Sequence, residues 1–206
     1  MTILVCPLSK VMNTIAARAP ERIVSLLDPG FAFPAAGPAY FDRHLCLRLN
    51  DVHFPTEGQV MPTAKHVDEL LAFLMRWSRT APILVHCRSG IGRSTAAAFI
   101  AACLYNPQAD EREIASTLRR AAPLARPNEL LIKLADTAMS RNGRMSEAIT
   151  ETGRGLPWIQ VDEGVPFEMP STFEPEPNGS LVSLIDAQQT LLPTGEDAPA
   201  GELRRP

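Results

Sequence analysis

Cysteine is scarce here, and badly spaced for its usual structural uses. Cys6, Cys46, Cys87 and Cys103 form no Cys-x-x-Cys pair. That argues against a disulfide scaffold or a zinc site, and for a reducing compartment. Long hydrophobic runs are also missing, since no stretch approaches the ~20 apolar residues that span a bilayer. The opening residues, MTILVCPLSK, have no basic residue before their short apolar run, so no signal peptide is expected. Strong positive charge is lacking too: the net charge is −3 and aromatic residues make up only 6%. Neither suits a nucleic-acid surface, which needs a basic field and stacking rings. The expectation is a soluble, cytoplasmic protein with no membrane or nucleic-acid partner and no need of a metal or cofactor.

What is present suits one domain with an appendage. Apolar residues make up 45% of 206, enough for a single sizeable core. Charge and proline are unevenly spread. Residues 1–150 carry 17 Lys and Arg against 13 Asp and Glu, whereas residues 151–206 carry 3 against 10. The second stretch also holds 8 of the 19 prolines. The composition places a domain boundary near residue 150, with an acidic, proline-rich extension over 151–206. Within it, 155–170 is apolar enough to dock as a strand, and 171–206 reads as disordered.

Short apolar runs bounded by turn residues predict strands at 3–8, 22–27, 43–51 and 82–87. Residues 9–20 have helical spacing, with Ser9 as the N-cap. Residues 63–80 place Val67, Leu70, Leu71, Leu74 and Trp77 on one helical face. Further helices are predicted at 93–106, at 110–122 with an Asp110/Glu113 capping box, and at 128–140. Strands alternating with helices imply an α/β fold, a mainly parallel central sheet flanked by helices. Ligands of such sheets gather beyond the carboxyl ends of the strands, where Cys87 and Asp51 both fall.

The stretch VHCRSGIGRS, residues 85–94, carries the chemistry. A strand delivers Cys87, five residues follow, and Arg93 opens a helix. Gly90 and Gly92 let the loop curl with its N–H groups inward. A curled loop feeding a helix N-terminus is a nest for an anion, and Arg93 adds a planar, always-charged fork. The same field favours ionisation of Cys87; thiols in such settings have pKa values of ~3.5–7.5 and are nucleophiles. Ser94 is placed to donate a hydrogen bond to the departing sulfur. Arg88, Ser89, Gly90, Ile91, Gly92 and Arg93 together form the candidate phosphate-binding loop.

The segment HCRSGIGRS resembles the His-Cys-x5-Arg-Ser/Thr signature of the cysteine-based protein tyrosine phosphatase superfamily, including its dual-specificity members. More loosely, residues 1–148 are similar to compact bacterial tyrosine-phosphatase-like proteins. The resemblance implies that Cys87 attacks phosphorus, Arg93 holds the equatorial oxygens and Ser94 helps expel the thiolate. It implies that His86 supports the loop and that an upstream aspartate protonates the leaving oxygen. Asp51, 36 positions before Cys87, fits that role, although its loop HFPTEG lacks the family's usual flanking residues. Asn128 resembles a loop-supporting asparagine of the dual-specificity relatives. The implied substrate is a phosphotyrosine-containing protein or a small phosphate ester; phosphoinositides and RNA 5′-phosphates rank lower.

Simpler roles stand beside these. Asp51 also reads as a strand-ending Asx turn, with Asp28 and then Glu57 as reserve acids and Asp68 as a helix-flank residue. Asn128 reads equally as a plain helix cap. His44, His53 and His66 read as surface or internally satisfied histidines, and Cys6, Cys46 and Cys103 as small core hydrophobes. A protective disulfide from Cys6 or Cys46 to Cys87 stays open. Arg88 and Arg126 are placed to line a substrate groove, and Arg119 and Arg120 to form a solvated helix face. Two other functions compete: a rhodanese-like sulfurtransferase, whose loops usually hold one residue fewer, and a non-catalytic phosphopeptide-binding module.

Overall fold

Cys87 and Asp51 are brought to one edge by a five-stranded sheet. The computed structural model describes residues 1–153, 155 and 162–175. Within it β1 (Thr2–Pro7), β2 (Arg22–Leu27), β3 (His44–Arg48) and β4 (Ile83–Cys87) run parallel, and β5 (Phe167–Pro170) pairs antiparallel with β1. The order is β3-β2-β4-β1-β5. The fold is therefore α/β with a mainly parallel sheet. Central β4, RIVSLL of β2 and most of β1 are buried on both faces, which is why they read as continuous apolar runs.

Helices α1 (Val11–Arg18), α2 (Ala64–Leu74), α3 (Arg93–Tyr105), α4 (Glu111–Ala121), α5 (Glu129–Ala138) and α6 (Arg144–Thr152) complete the unit. The larger core joins one face of the sheet to α2, α3, α4, α5 and α6. A smaller cluster of Leu4, Cys6, Val11, Ile23 and Leu84 lies beneath α1 on the other face. Helix α3 is the pivot: every residue from Arg93 to Cys103 is buried. Its run of alanines permits close approach to the sheet and to α4 and α5, so its N-terminus is held where β4 ends.

Local differences from the sequence pattern have local causes. Ser9 does not cap α1. It lies in a 3-10 turn over Leu8–Lys10, and its hydroxyl donates to Glu163 Oε2 at 2.6 Å. The helix expected to 80 stops at Leu74, because Trp77 N–H turns back to the Leu74 carbonyl and Arg79 adopts φ +59°. The buried indole then donates to the Ala81 carbonyl at 2.8 Å. Asp110 does cap α4, accepting from Arg112 N–H at 2.8 Å, but Glu113 pairs with Arg120 rather than closing a box. Helix α2 has the reciprocal cap instead, with Thr63 N–H donating to His66 Nδ1 at 3.1 Å.

Helix α6 had no counterpart in the sequence reading. Asp136 of α5 anchors it, accepting from the N–H groups of Gly143, Met145 and Ser146. The structure continues past the compositional shift at residue 150 through α6 and β5. Residues 176–206, most of the tail read as disordered, lie outside the described residues. No helix among the described residues is long and apolar enough to cross a membrane.

Cys46 is exposed rather than a core residue. It sits on edge strand β3, where alternation sends Leu47 inward and Cys46 outward. All four cysteines are free thiols, so no disulfide protects Cys87. Because α3 has no spare volume, Ala98→Leu is expected to destabilise the fold by ~1–3 kcal/mol, the usual cost of overpacking a close-packed core. Urea unfolding of the two proteins measures it.

Candidate active site

The loop between β4 and α3 takes its shape from where its carbonyls go. Leu8 N–H donates to Arg88 O at 3.1 Å and Gly164 N–H to Ser89 O at 2.7 Å. Arg126 N–H reaches Ile91 O at 2.9 Å, while Asn128 and Ala96 N–H both reach Gly92 O. The Thr95 hydroxyl spans Ile91 O and Gly92 O at 2.5 and 2.8 Å. With these carbonyls tied outward, the amides are free to face the centre. Gly90 N–H does so, donating to Cys87 Sγ at 3.2 Å.

The backbone requires glycine at one of the two positions, and at the other the missing side chain makes room for a carboxylate. Gly90 has φ +74°, and a Cβ there would stand 2.8 Å from Pro7 N. At Gly92 a Cβ would lie 1.9 Å from Asp51 Oδ2, so the missing side chain leaves the space that the carboxylate occupies. Asp51 therefore overhangs the loop. Its Oδ1 accepts from Asn128 Nδ2 at 2.7 Å, and Oδ2 is 3.9 Å from Arg93 Nε. Asn128 serves two ends at once, since its Oδ1 also caps α5 by accepting from Leu131 N–H.

Cys87 is fully buried at the base of the loop, with Ser94 Oγ 3.1 Å from its sulfur. Arg93 is 3% exposed and held from below. Its Nη1 donates to Leu49 O at 2.6 Å and its Nη2 pairs with Asp28 Oδ2 at 3.0 Å. Its Nε is buried with no hydrogen-bond partner among the described residues. A buried donor left open is costly unless something fills it. Asp28, the reserve acid, is thus occupied in orienting Arg93, and it also accepts from Asn50 Nδ2. Glu57 is exposed on the loop after Asp51, and Asp68 is exposed on α2.

Around this centre the structure gathers some expected residues and not others. Ser89 and Ile91 are half-buried loop residues, while Arg88 is exposed, its guanidinium 5.1 Å above the Phe31 ring. Arg126 walls a groove of about 460 Å³ together with His53, Phe54 and Pro127. Arg119 departs from its reading as a solvated side chain: it donates to the carbonyls of Pro123, Ala125 and Gly153, tying down the loop that carries Arg126. Arg120 is exposed and pairs with Glu113. Sequence reasoning missed Leu49 O and Gly164, which only tertiary contacts reveal. It also missed Ser25, whose signal was a polar residue inside the buried run RIVSLL. No group of three or more His, Cys, Asp or Glu side chains among the described residues could hold a metal.

Burial sets the protonation of two groups around Cys87. Cys6 is pushed up to about 11 by burial, so it stays a thiol. His86 is fully buried, and burial lowers it to about 4; its interaction with the Cys87 main chain opposes that shift only in part.

Residues 51–125 match the family model described as protein-tyrosine phosphatase. No curated protein matches the chain in sequence. Among solved structures, the Yvh1 phosphatase domain from Chaetomium thermophilum is 20% identical, with a TM-score of 0.47 over 69% of this chain and 93% of that one. A mouse putative dual specificity phosphatase is 15% identical (TM-score 0.46; 68% and 80%). The Trypanosoma brucei protein tyrosine phosphatase TbPTP1 is 16% identical (TM-score 0.45; 72% of each chain).

His86 gives a pH test of the site's packing. Its folded value near 4 lies below the ordinary ~6.5, so between those values the unfolded chain binds a proton that the fold does not. Its contribution is complete above pH ~6.5 and is lost as pH falls toward 4, by roughly 3 kcal/mol. Urea unfolding at pH 4.5 and 7 should show the loss in the wild type and a smaller one in His86→Gln.

The segment similar to the protein-tyrosine phosphatase family model thus holds Asp51, Cys87, Arg93 and the whole loop between β4 and α3.

Proposed function

We propose that the protein hydrolyses phosphate monoesters, protein phosphotyrosine foremost, through a cysteinyl-phosphate intermediate. The observation that carries this reading is the buried Nε of Arg93, which makes no hydrogen bond among the described residues and stands 3.9 Å from Asp51 Oδ2, beside a loop whose carbonyls turn outward. An oxyanion seated there satisfies the orphan donor and the inward amides together. The full burial of Cys87 favours an ester that holds its phosphorus well away from the polypeptide, as tyrosine does and serine does not. The groove lined by His53, Phe54, Arg126 and Pro127, residues that adjoin Asp51 and Asn128 in the chain, offers a path for a substrate polypeptide.

In the first step the Cys87 thiolate attacks phosphorus, forming the S–P bond as the P–O bond to the leaving group breaks. Asp51, protonated, delivers its proton to the departing oxygen. Arg93 and the loop amides hold the equatorial oxygens, where charge gathers in the transition state. In the second step Asp51 takes a proton from water, whose oxygen bonds to phosphorus as the S–P bond breaks. Ser94 donates a hydrogen bond to the released sulfur, and inorganic phosphate leaves. Asp28 and Asn128 act through others, the first on Arg93 and the second on Asp51.

Cys87→Ser is expected to abolish turnover while the protein still binds vanadate or phosphopeptide; a phosphoenzyme surviving in that variant overturns the assignment. Asp51→Ala should slow phenyl phosphate by ~100-fold or more, the usual range for a lost general acid. It should slow p-nitrophenyl phosphate far less, because that leaving group barely needs protonation. Equal losses on both substrates would return the role to Asp28 or Glu57.

A further inference from the structure

On the face of the sheet opposite α3, three polar side chains form a line that the phosphatase reading does not use. Ser25 of β2 is fully buried and stands directly across from His86 of β4 in the strand register. Its Oγ is 2.5 Å from His86 Nε2 and 2.6 Å from His44 Nε2 on β3. His44 is half-buried, with the Phe33 ring edge-on to it at 6.5 Å. The line thus runs from the edge strand, through the sheet, to the residue before the nucleophile.

A serine hydroxyl has one proton. Placed between two Nε2 atoms, it donates to one ring and accepts from the other, so one ring carries Nε2–H and the other does not. The Cys87 main chain chooses which. His86 Nε2 faces Ser25, which leaves Nδ1 as the ring nitrogen able to meet that main chain; the main chain favours a proton on the ring, which assigns the proton of a neutral His86 to Nδ1. His86 Nε2 must then accept from Ser25, and Ser25 from His44.

We propose that His44 and Ser25 are positioning residues of the phosphate-binding loop: a one-way chain, His44 Nε2–H to Ser25 Oγ–H to His86 Nε2, holds His86 as its Nδ1–H tautomer and so pins the main chain of Cys87. In this structure Nδ1 is buried without a hydrogen-bond partner among the described residues, which leaves that contact to form when the loop is loaded. The inference rests on Cys87 as the nucleophile for its effect on turnover, but not for its effect on the tautomer. It gives a reason for a buried serine in an otherwise apolar strand, where a valine would pack without needing partners.

The test uses the full chain, labelled with 15N. Two-bond proton–nitrogen spectra distinguish Nδ1–H from Nε2–H histidine. Wild-type His86 should be the Nδ1–H form. Ser25→Ala and His44→Leu should each convert part or all of it to the Nε2–H form. Each should also lower kcat on p-nitrophenyl phosphate by about three- to tenfold, the worth of one hydrogen bond. His44→Gln keeps an N–H donor at the Nε2 position and should restore both readouts. Since His44 sits on an edge strand, the Leu and Gln pair carries the test even if Ser25→Ala does not fold. An unchanged His86 tautomer in His44→Leu, or identical behaviour of Leu and Gln, overturns the proposal. Absence of any turnover or phosphoenzyme in the wild type would overturn the nucleophile instead, and the spectra would still decide the chain.

Discussion

The site depends on the outward anchoring of the loop's carbonyls. A curled seven-residue segment that offered both its N–H and C=O groups to the centre would repel an anion as much as attract it. Here Leu8, Gly164, Arg126, Asn128, Ala96 and the Thr95 hydroxyl remove four carbonyls from that centre. The donors come from the end of β1, the segment before β5, the turn before α5 and the first turn of α3. Every layer of the fold therefore contributes to the field at Cys87. Arg93 adds a buried formal charge, and it is itself held by Asp28 and Leu49 O.

Two aspartates close to one arginine divide the work by position. Asp28 lies under the guanidinium at 3.0 Å, while Asp51 stands above the loop with Oδ2 3.9 Å from Nε. A carboxylate locked in an ion pair is poorly suited to pass a proton, so the proposed acid role suits Asp51, which is steadied through its other oxygen by Asn128. Gly92 makes that overhang possible, because any side chain there would displace Asp51.

Much of this was legible before the structure. VHCRSGIGRS announced the strand, the curled loop and the placing of Cys87 and Arg93 at its two ends, because each residue type answers a local requirement of the backbone. Cys46 was misplaced because a two-residue period says which residues alternate, not which face is covered. The partners of the loop carbonyls were illegible for another reason. They are main-chain groups of residues such as Leu8 and Gly164, and their side chains announce nothing. Ser25 did leave a mark, as a polar residue in a buried strand, but its meaning required knowing that His44 and His86 flank it. Arg119 likewise read as surface, since its three carbonyl partners lie in irregular segments.

Gly164 has one more consequence. Its N–H holds Ser89 O, and β5, the Arg18–Glu168 ion pair and the Ser9–Glu163 hydrogen bond hold the segment around it. The cradle is thus finished by a piece of chain that emerges from the ribosome long after Cys87. A nascent chain that has made the whole parallel sheet still lacks this clasp, and the Cys87 thiol gains its final surroundings only when the edge strand docks.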